Sequence, residues 1–116
     1  MGLLTYRLLD QDEYSPNIPV WEALLGTRLI GIGEFNGGDE LLFLARDGRC
    51  FSEDTIDGDV FHYHADSLFR FHLMALFRMR SRPMLRPDQR SVVSWGLTFT
   101  RESSAVYDPV SSHQLA

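Results

Sequence analysis

The sequence predicts one α+β domain, in which a largely antiparallel meander sheet is packed by one or two helices. Three observations predict this class. Short apolar segments separated by turn residues fill the middle of the chain, a segment of helical period follows them, and their spacing does not suit repeated βαβ units. A chain of 116 residues, 44% of them hydrophobic, suffices for a single domain over 1–116 with a substantial core.

The first elements are short and are bounded by proline and glycine. Residues 3–9 form an apolar segment without a clear period, so both strand and helix remain open. Residues 10–19 are polar and contain Pro16 and Pro19, which predicts a loop. A short helix is predicted from Pro19 to Gly26, because proline suits the first turn of a helix and glycine suits the position after its last turn.

The next part of the chain is predicted to form a three-stranded meander, with strands at residues 28–35, 40–46 and 49–52. The second strand is apolar on both faces, as in the centre of a buried sheet. Asp47-Gly48 follows it and predicts a type I′ hairpin turn, in which both central residues need positive φ. Cys50, in the third strand, is predicted to be a small core residue rather than a nucleophile.

An acidic loop, 53–59, and a short extended segment, 60–64, are predicted to precede a second helix. This helix spans about 67–80, and either Asp66 or Ser67 can cap its first turn. Its apolar stripe is predicted to pack into the core and comprises Phe69, Phe71, Leu73, Met74, Leu76 and Phe77.

The C-terminal part is predicted to contain a proline-rich loop, 81–90, and then a strand extension, 91–107. Within the extension, residues 91–100 alternate apolar and polar side chains, which predicts one half-buried strand. Its apolar face comprises Val93, Trp95, Leu97 and Phe99. The tail YDPVSSHQLA, from Tyr107 onward, is expected to fray.

The net charge of −5 is unevenly distributed along the chain. Residues 1–66 carry 13 acidic residues and four arginines, whereas residues 67–116 carry three acidic residues and seven arginines. An acidic chain is a poor candidate for nucleic-acid binding but is suited to attract a basic protein. One cysteine excludes a disulfide framework, and the sequence shows neither a membrane span nor a secretion signal. We therefore expect a cytoplasmic protein that binds no nucleic acid and no membrane.

The segment HYHAD offers one candidate metal site. His62, His64 and Asp66 alternate along an extended segment, so their side chains would share a face, and two imidazoles with a carboxylate can bind zinc or ferrous iron. These residues define an alternative function, a small metal-dependent enzyme. Asp66 is, however, equally suited to cap the following helix, and only His72 and His113 remain as further imidazole ligands. We expect no metal site and no cofactor.

The acidic loop offers a candidate binding surface for a partner. It contains four carboxylates within seven residues, Glu53, Asp54, Asp57 and Asp59, and their spacing does not match a calcium-binding EF-hand loop. Two interpretations remain open: a solvated surface loop, or a docking surface for basic groups of a partner. Because no nucleophile motif or phosphate-binding loop is present, we identify no catalytic residue and do not expect an enzyme.

The segment LLGTRLIGIGEFNGGDELLFLARDGRCF resembles the core motif of the SUKH superfamily of bacterial immunity proteins, and in particular its third subfamily. The matching features are Gly33-Glu34, the apolar strand from Leu41 to Ala45, the Asp47-Gly48 turn, the basic Arg49, the aromatic Phe51 and the helical Ala75-Leu76 step. The resemblance covers about residues 25–80, and the segment 91–107 extends past the family's usual end.

The resemblance implies a non-enzymatic protein that binds and neutralises a cognate toxin, often a nuclease or deaminase carried by a secreted polymorphic toxin. Such a toxin needs a basic groove for its substrate, which an acidic inhibitor could occupy with the help of electrostatic steering. We therefore predict an immunity protein, monomeric or homodimeric, whose contact surface for a basic toxin is the four carboxylates of the acidic loop. A regulatory or assembly module without a toxin is the remaining alternative.

Overall fold

The chain forms a six-stranded antiparallel sheet in strict meander order, with a helix on each face and a separate two-stranded hairpin. This computed structural model describes residues 3–56, 60–77 and 79–109. The sheet comprises β1 Leu4–Tyr6, β2 Leu29–Phe35, β3 Glu40–Ala45, β4 Cys50–Asp54, β5 Val60–Ala65 and β6 Arg82–Met84. The helices are α1 Ile18–Leu25 and α2 Leu68–Leu76, and the hairpin comprises β7 Ser91–Ser94 and β8 Leu97–Thr100. The predicted α+β class is confirmed.

One face of the sheet packs against α1. Phe43, Phe51 and Phe61 project from β3, β4 and β5 to this side and are fully buried together with Trp21 of α1. The Trp21 and Phe61 rings stack with their centroids 5.0 Å apart. The helix ends at Gly26, whose φ of 70° is the left-handed conformation that the sequence predicted there.

The opposite face is apolar beneath α2 and polar beyond it. Leu42, Cys50 and Phe71 are buried in the apolar part. Cys50 has no exposed surface, which confirms its prediction as a core residue, and this burial raises the pKa of its thiol to about 11. No helix among residues 3–56, 60–77 and 79–109 is long and apolar enough to cross a membrane.

A hairpin turn joins β3 to β4 as predicted, but the turn is not type I′. Gly48 has a φ of 100° and its N–H donates to the Ala45 carbonyl at 2.9 Å, whereas Asp47 keeps an ordinary negative φ. The Asp47 carboxylate instead accepts two hydrogen bonds from the Arg49 guanidinium, at 2.6 and 2.9 Å. The turn is therefore of the longer kind that needs only one left-handed residue.

Arg49 ties this turn to two distant parts of the chain. Besides Asp47, its guanidinium donates to the Leu25 carbonyl at the end of α1, at 3.0 Å, and to the Tyr107 hydroxyl, at 3.2 Å. Its side chain is only 11% exposed. The basic residue of the family-like pattern thus has a structural role in this chain.

We expect Arg49→Met to lower the free energy of unfolding by about 1–3 kcal/mol, because it removes charge-assisted hydrogen bonds and leaves a partly buried carbonyl unpaired. Urea unfolding measures this loss. Arg46→Met is the matched control in the same turn; its side chain is exposed, so the change should stay within about 0.5 kcal/mol. Equal losses in the two variants would contradict the role assigned to Arg49.

The proline-rich segment 81–90 is not wholly a loop, because it contains β6. Pro83 pairs with His62 across the ladder and is fully buried. β6 is the last strand of the six-stranded sheet, and proline is tolerated in an edge strand because the missing N–H need not serve a second neighbour.

The predicted strand at 91–100 is wrong, because these residues form the β7–β8 hairpin. Trp95 and Gly96 have φ values of 54° and 74° and reverse the chain between the two strands. Val92 and Ser94 are the buried residues, whereas Val93 and Trp95 are exposed.

The prediction that the tail frays from Tyr107 is also wrong at its start. Tyr107 is 6% exposed, its N–H donates to the Pro83 carbonyl at 3.0 Å, and its ring stacks on Tyr63. Residues 110–116, the rest of the predicted tail, lie outside the described part of the chain.

Candidate functional site

The outward side of α2 is apolar and open to solvent. The exposed fractions are 71% for Phe69, 38% for Leu73, 74% for Leu76 and 72% for Phe77. These four residues, which we call the α2 outer face, were predicted to lie in the core, and that prediction is wrong. The helix is apolar around most of its circumference, but it can bury only one side against the sheet, and Phe71 lies on that side.

The segment of the chain that contains the α2 outer face carries only positive formal charge. No aspartate or glutamate occurs between Ser67 and Pro87, and Arg70 and Arg80 are exposed. The helix itself ends at Leu76 rather than near residue 80, and Ser67, not Asp66, caps it by accepting a hydrogen bond from the Arg70 N–H at 3.1 Å. The surface is therefore suited to a partner with apolar and acidic groups.

A cavity of about 440 Å³ adjoins the inner side of α2, between that helix and the β7–β8 turn. Its apolar walls include Phe35, Phe71, Met74, Met79 and Trp95. Its polar lining includes Asn36, Glu40, His64, Arg80 and Ser81. A cavity of this size and mixed lining is within the range of small-molecule sites.

A hydrogen-bonded chain of polar side chains forms the floor beneath this cavity. The Ser52 hydroxyl donates to the Glu40 carboxylate and lies 2.7 Å from His64 Nε2. His62 belongs to a separate pair, in which its Nε2 lies 2.9 Å from the Ser94 hydroxyl. Because Ser52 has no exposed surface, it cannot meet a substrate as a nucleophile.

The protonation states of this floor follow from its burial. Burial lowers the pKa of His62 to about 4, against an opposing effect of Asp54, and lowers the pKa of His64 to about 3. Burial also raises the pKa of Glu40, despite the hydrogen bond from Ser52. At neutral pH both imidazoles are therefore uncharged and do not neutralise the carboxylate.

The structure does not assemble the metal site that the sequence suggested. His62 and His64 both face the α2 side of the sheet, but Asp66 lies beyond the end of β5 and accepts a hydrogen bond from Tyr63, which packs on the α1 side. In the described ranges no three histidine, cysteine, aspartate or glutamate side chains are placed to hold a metal ion.

The acidic loop begins later than predicted, because β4 continues through Asp54. Glu53 is only 4% exposed, and its carboxylate accepts a hydrogen bond from the Ser15 hydroxyl at 2.6 Å. The prediction that Glu53 is a surface contact residue is therefore wrong. Asp54 is partly buried at the end of β4, and Asp57 and Asp59 lie outside the described residues.

Two features of this region were not predicted from the sequence. The Glu40–Ser52–His64 chain depends on strand register: Ser52 pairs with Leu42 of β3 and with His62 of β5, which brings three separate segments together. The second feature that was not predicted is the Trp95–Gly96 turn, although glycine after an apolar strand is a recognised hairpin signal.

Comparison with known proteins found no matching family model, no matching curated protein and no matching solved structure.

Proposed function

We propose that this protein is a cytoplasmic immunity protein that binds and neutralises a toxin domain, of nuclease or deaminase type, by direct contact. The observation that carries the proposal is the exposed α2 outer face. The resemblance of residues 25–80 to the SUKH motif supplies the class of partner, and the α+β fold agrees in kind with that family.

The size of the α2 outer face supports protein binding. Large aromatic side chains bury roughly 150–250 Å² each, so two phenylalanines and two leucines, most of them about 70% exposed, form a patch of several hundred Å². Monomeric proteins rarely expose larger contiguous apolar patches, and those that they do expose are often functional. A standard interface covers about 800 Å² per partner, so this patch can form its centre.

The charge distribution supports a partner with surfaces of both signs. The segment 67–87, which contains α2, has arginines and no acidic residue, whereas residues 1–66 hold 13 of the 16 acidic residues. A basic toxin groove would meet the acidic part, and Asp54, Asp57 and Asp59 remain proposed contacts there. Glu53 is excluded from that set by its burial.

Calorimetry with the adjacent gene product tests the proposal directly. The titrant is the C-terminal domain of the protein encoded immediately upstream, in catalytically weakened form. We expect a Kd at or below about 10 nM, which corresponds to roughly −11 kcal/mol. Absence of measurable binding would overturn the toxin-neutralising function and favour an assembly module.

In the same titration, the double substitution Phe69→Ser with Phe77→Ser should weaken binding at least tenfold, because exposed aromatic residues at the centre of an interface are typical hot spots. Leu3→Ser with Leu8→Ser is the matched control, since these leucines are 75% and 76% exposed and lie outside α2. If Asp57→Asn with Asp59→Asn weakens binding while the α2 variant does not, the acidic loop is the contact surface and the assignment to α2 is wrong.

A further inference from the structure

The cavity beside α2 contains a carboxylate without a positively charged partner. Glu40 is the acidic residue among the described residues that line the cavity. Its carboxylate accepts from Ser52, and no arginine of the described chain lies within 4 Å of it. The Glu40 side chain is 30% exposed and lines the cavity, and desolvation of its buried part raises its pKa, so a cation held in the cavity would stabilise its charged form.

The groups nearest to Glu40 do not supply a positive charge. His62 and His64 are neutral at pH 7, and Asp54 adds further negative potential. His62 Nδ1 is buried without a hydrogen-bond partner and lies 4.0 Å from the Glu40 carboxylate. The Glu40 carboxylate, which lines the cavity, is therefore the group that can accept an N–H donor of positive charge there.

The walls of the cavity suit an apolar body that carries such a group. Met74 and Met79 are flexible and polarizable side chains that adapt to a ligand's shape. Phe35 and Phe71 add aromatic surface next to them. The walls therefore favour a cation carried on a short hydrocarbon body over a strongly hydrated inorganic ion.

Trp95 at the rim is held in an unusual conformation. Its φ of 54° is left-handed, a conformation that non-glycine residues seldom adopt. The indole is packed between the His62 ring, at 5.2 Å, and the Arg80 guanidinium, whose Cζ lies 5.0 Å from the ring centroid. The hairpin accounts for this conformation, because a two-residue turn of this kind needs positive φ at both central residues. The contact with Arg80 shows that the indole ring at this rim accepts a guanidinium group.

We propose that the cavity between α2 and the β7–β8 turn binds a small organic cation, an ammonium or guanidinium group on a short apolar body, with Glu40 as its counter-ion. The ligand is either a free amine or an arginine or lysine side chain of a bound protein. The site is independent of the α2 outer face, which lies on the opposite side of the helix, so either assignment can fail alone.

The test is an NMR titration of the full chain at neutral pH with n-butylammonium and n-butylguanidinium, with butanol and butyrate as neutral and anionic isosteres. We expect saturable shifts of the Trp95 indole and of the Met74 and Met79 methyl groups, with a Kd of about 1 mM, as for a single small fragment. Neither isostere should saturate these signals. Equal binding of butanol or butyrate, or no saturable shift with either cation, would overturn the proposal.

Two variants separate the role of Glu40 from general surface charge. Glu40→Gln should weaken butylammonium at least tenfold, whereas Asp39→Asn, an exposed change of the same charge one residue away, should leave it unchanged. Equal binding by wild type and Glu40→Gln would overturn the assignment. The chemical shift of the Glu40 carboxyl carbon reports whether the group is protonated. A carboxyl group that stays protonated at pH 7, both in the free protein and with butylammonium, would also overturn the assignment.

Capped amino acids then distinguish the source of the cation. Nα-acetyl-lysine methylamide and Nα-acetyl-arginine methylamide carry the same groups next to peptide bonds, as a bound protein would. If they bind at least as tightly as the free amines, the cavity receives a side chain of a partner. If only the free amines bind, it receives a small molecule. Both outcomes support a cation site.

Discussion

Replacing Trp21 by alanine is expected to lower the free energy of unfolding by about 3–5 kcal/mol. Trp21 is 1% exposed and stacks on Phe61 with an interplanar angle of 13°. It is the main aromatic contact of α1 with the sheet, so its removal leaves a cavity between the two layers. Because small domains are stable by only about 5–15 kcal/mol, the loss is a large share of the total.

Urea unfolding followed by circular dichroism measures this loss without relying on tryptophan fluorescence. Val20→Ala is the matched control, since Val20 is the preceding residue of α1 and is 43% exposed. Trp21→Phe provides a second variant that keeps a ring over Phe61 and should be clearly more stable than Trp21→Ala. A loss no larger than that of Val20→Ala would show that α1 does not contribute to the core in this way.

The meander could be predicted because its signals are local. Backbone conformation at its turns depends on Asn36, Gly37, Gly38 and Gly48, which all adopt positive φ. The continuous apolar strand between them was also informative, since a strand covered on both faces needs apolar residues at successive positions. In β3, Leu42 faces α2 and Phe43 faces α1, and both are fully buried.

The errors arise where a periodic pattern permits two structures. Residues 91–100 alternate as a single strand would, but paired residues of a hairpin share a face, and Val92 pairs with Phe99. The reversal at Trp95–Gly96 therefore shifts the buried set from Val93 to Val92 and Ser94. The apolar residues of α2 cover so much of its circumference that the helix could pack on the sheet in more than one orientation. In the structure, the side that contains Phe71 packs on the sheet.

The candidate site was predictable only in part, because it depends on long-range pairing. Alternation along β5 placed His62 and His64 on one face, as the structure shows by their contacts with Ser94 and Phe71. The hydrogen-bond partner of His64, Ser52, comes from β4, and the carboxylate that accepts from Ser52, Glu40, comes from β3. No local spacing links those residues. Asp66 was assigned to the same face because the alternation was extended one residue beyond the strand's end.

The protein is expected to lose stability steeply as the pH falls below about 6.5, because of His62 and His64. Unfolded histidines have a pKa near 6.5, whereas burial lowers the folded-state pKa of His62 to about 4 and that of His64 to about 3. Between these values the unfolded state binds protons that the folded state does not. Each histidine then destabilises the fold by up to about 1.4 kcal/mol per pH unit of acidification.

One neighbouring group, Glu40, has the opposite effect on stability as the pH falls. Burial raises the folded-state pKa of Glu40, so protonation of Glu40 favours the folded state as the pH falls through that value. Asp54 acts on both residues, raising the pKa of Glu40 and partly offsetting the lowered pKa of His62. Because two histidines oppose one carboxyl group, we expect a net loss of stability between about pH 6.5 and pH 4.

Urea unfolding at several pH values in this interval gives the proton uptake directly from the slope. His62→Gln can retain a side-chain hydrogen bond to Ser94 and removes one titrating group, so its slope should be shallower by about one proton. A flat profile for the wild type, together with an equal slope for His62→Gln, would mean that the imidazoles titrate alike in the folded and unfolded states. The Glu40–Ser52–His64 chain would then be open to water, and the cavity above it would lack the low-dielectric floor that makes an uncompensated carboxylate attract a cation.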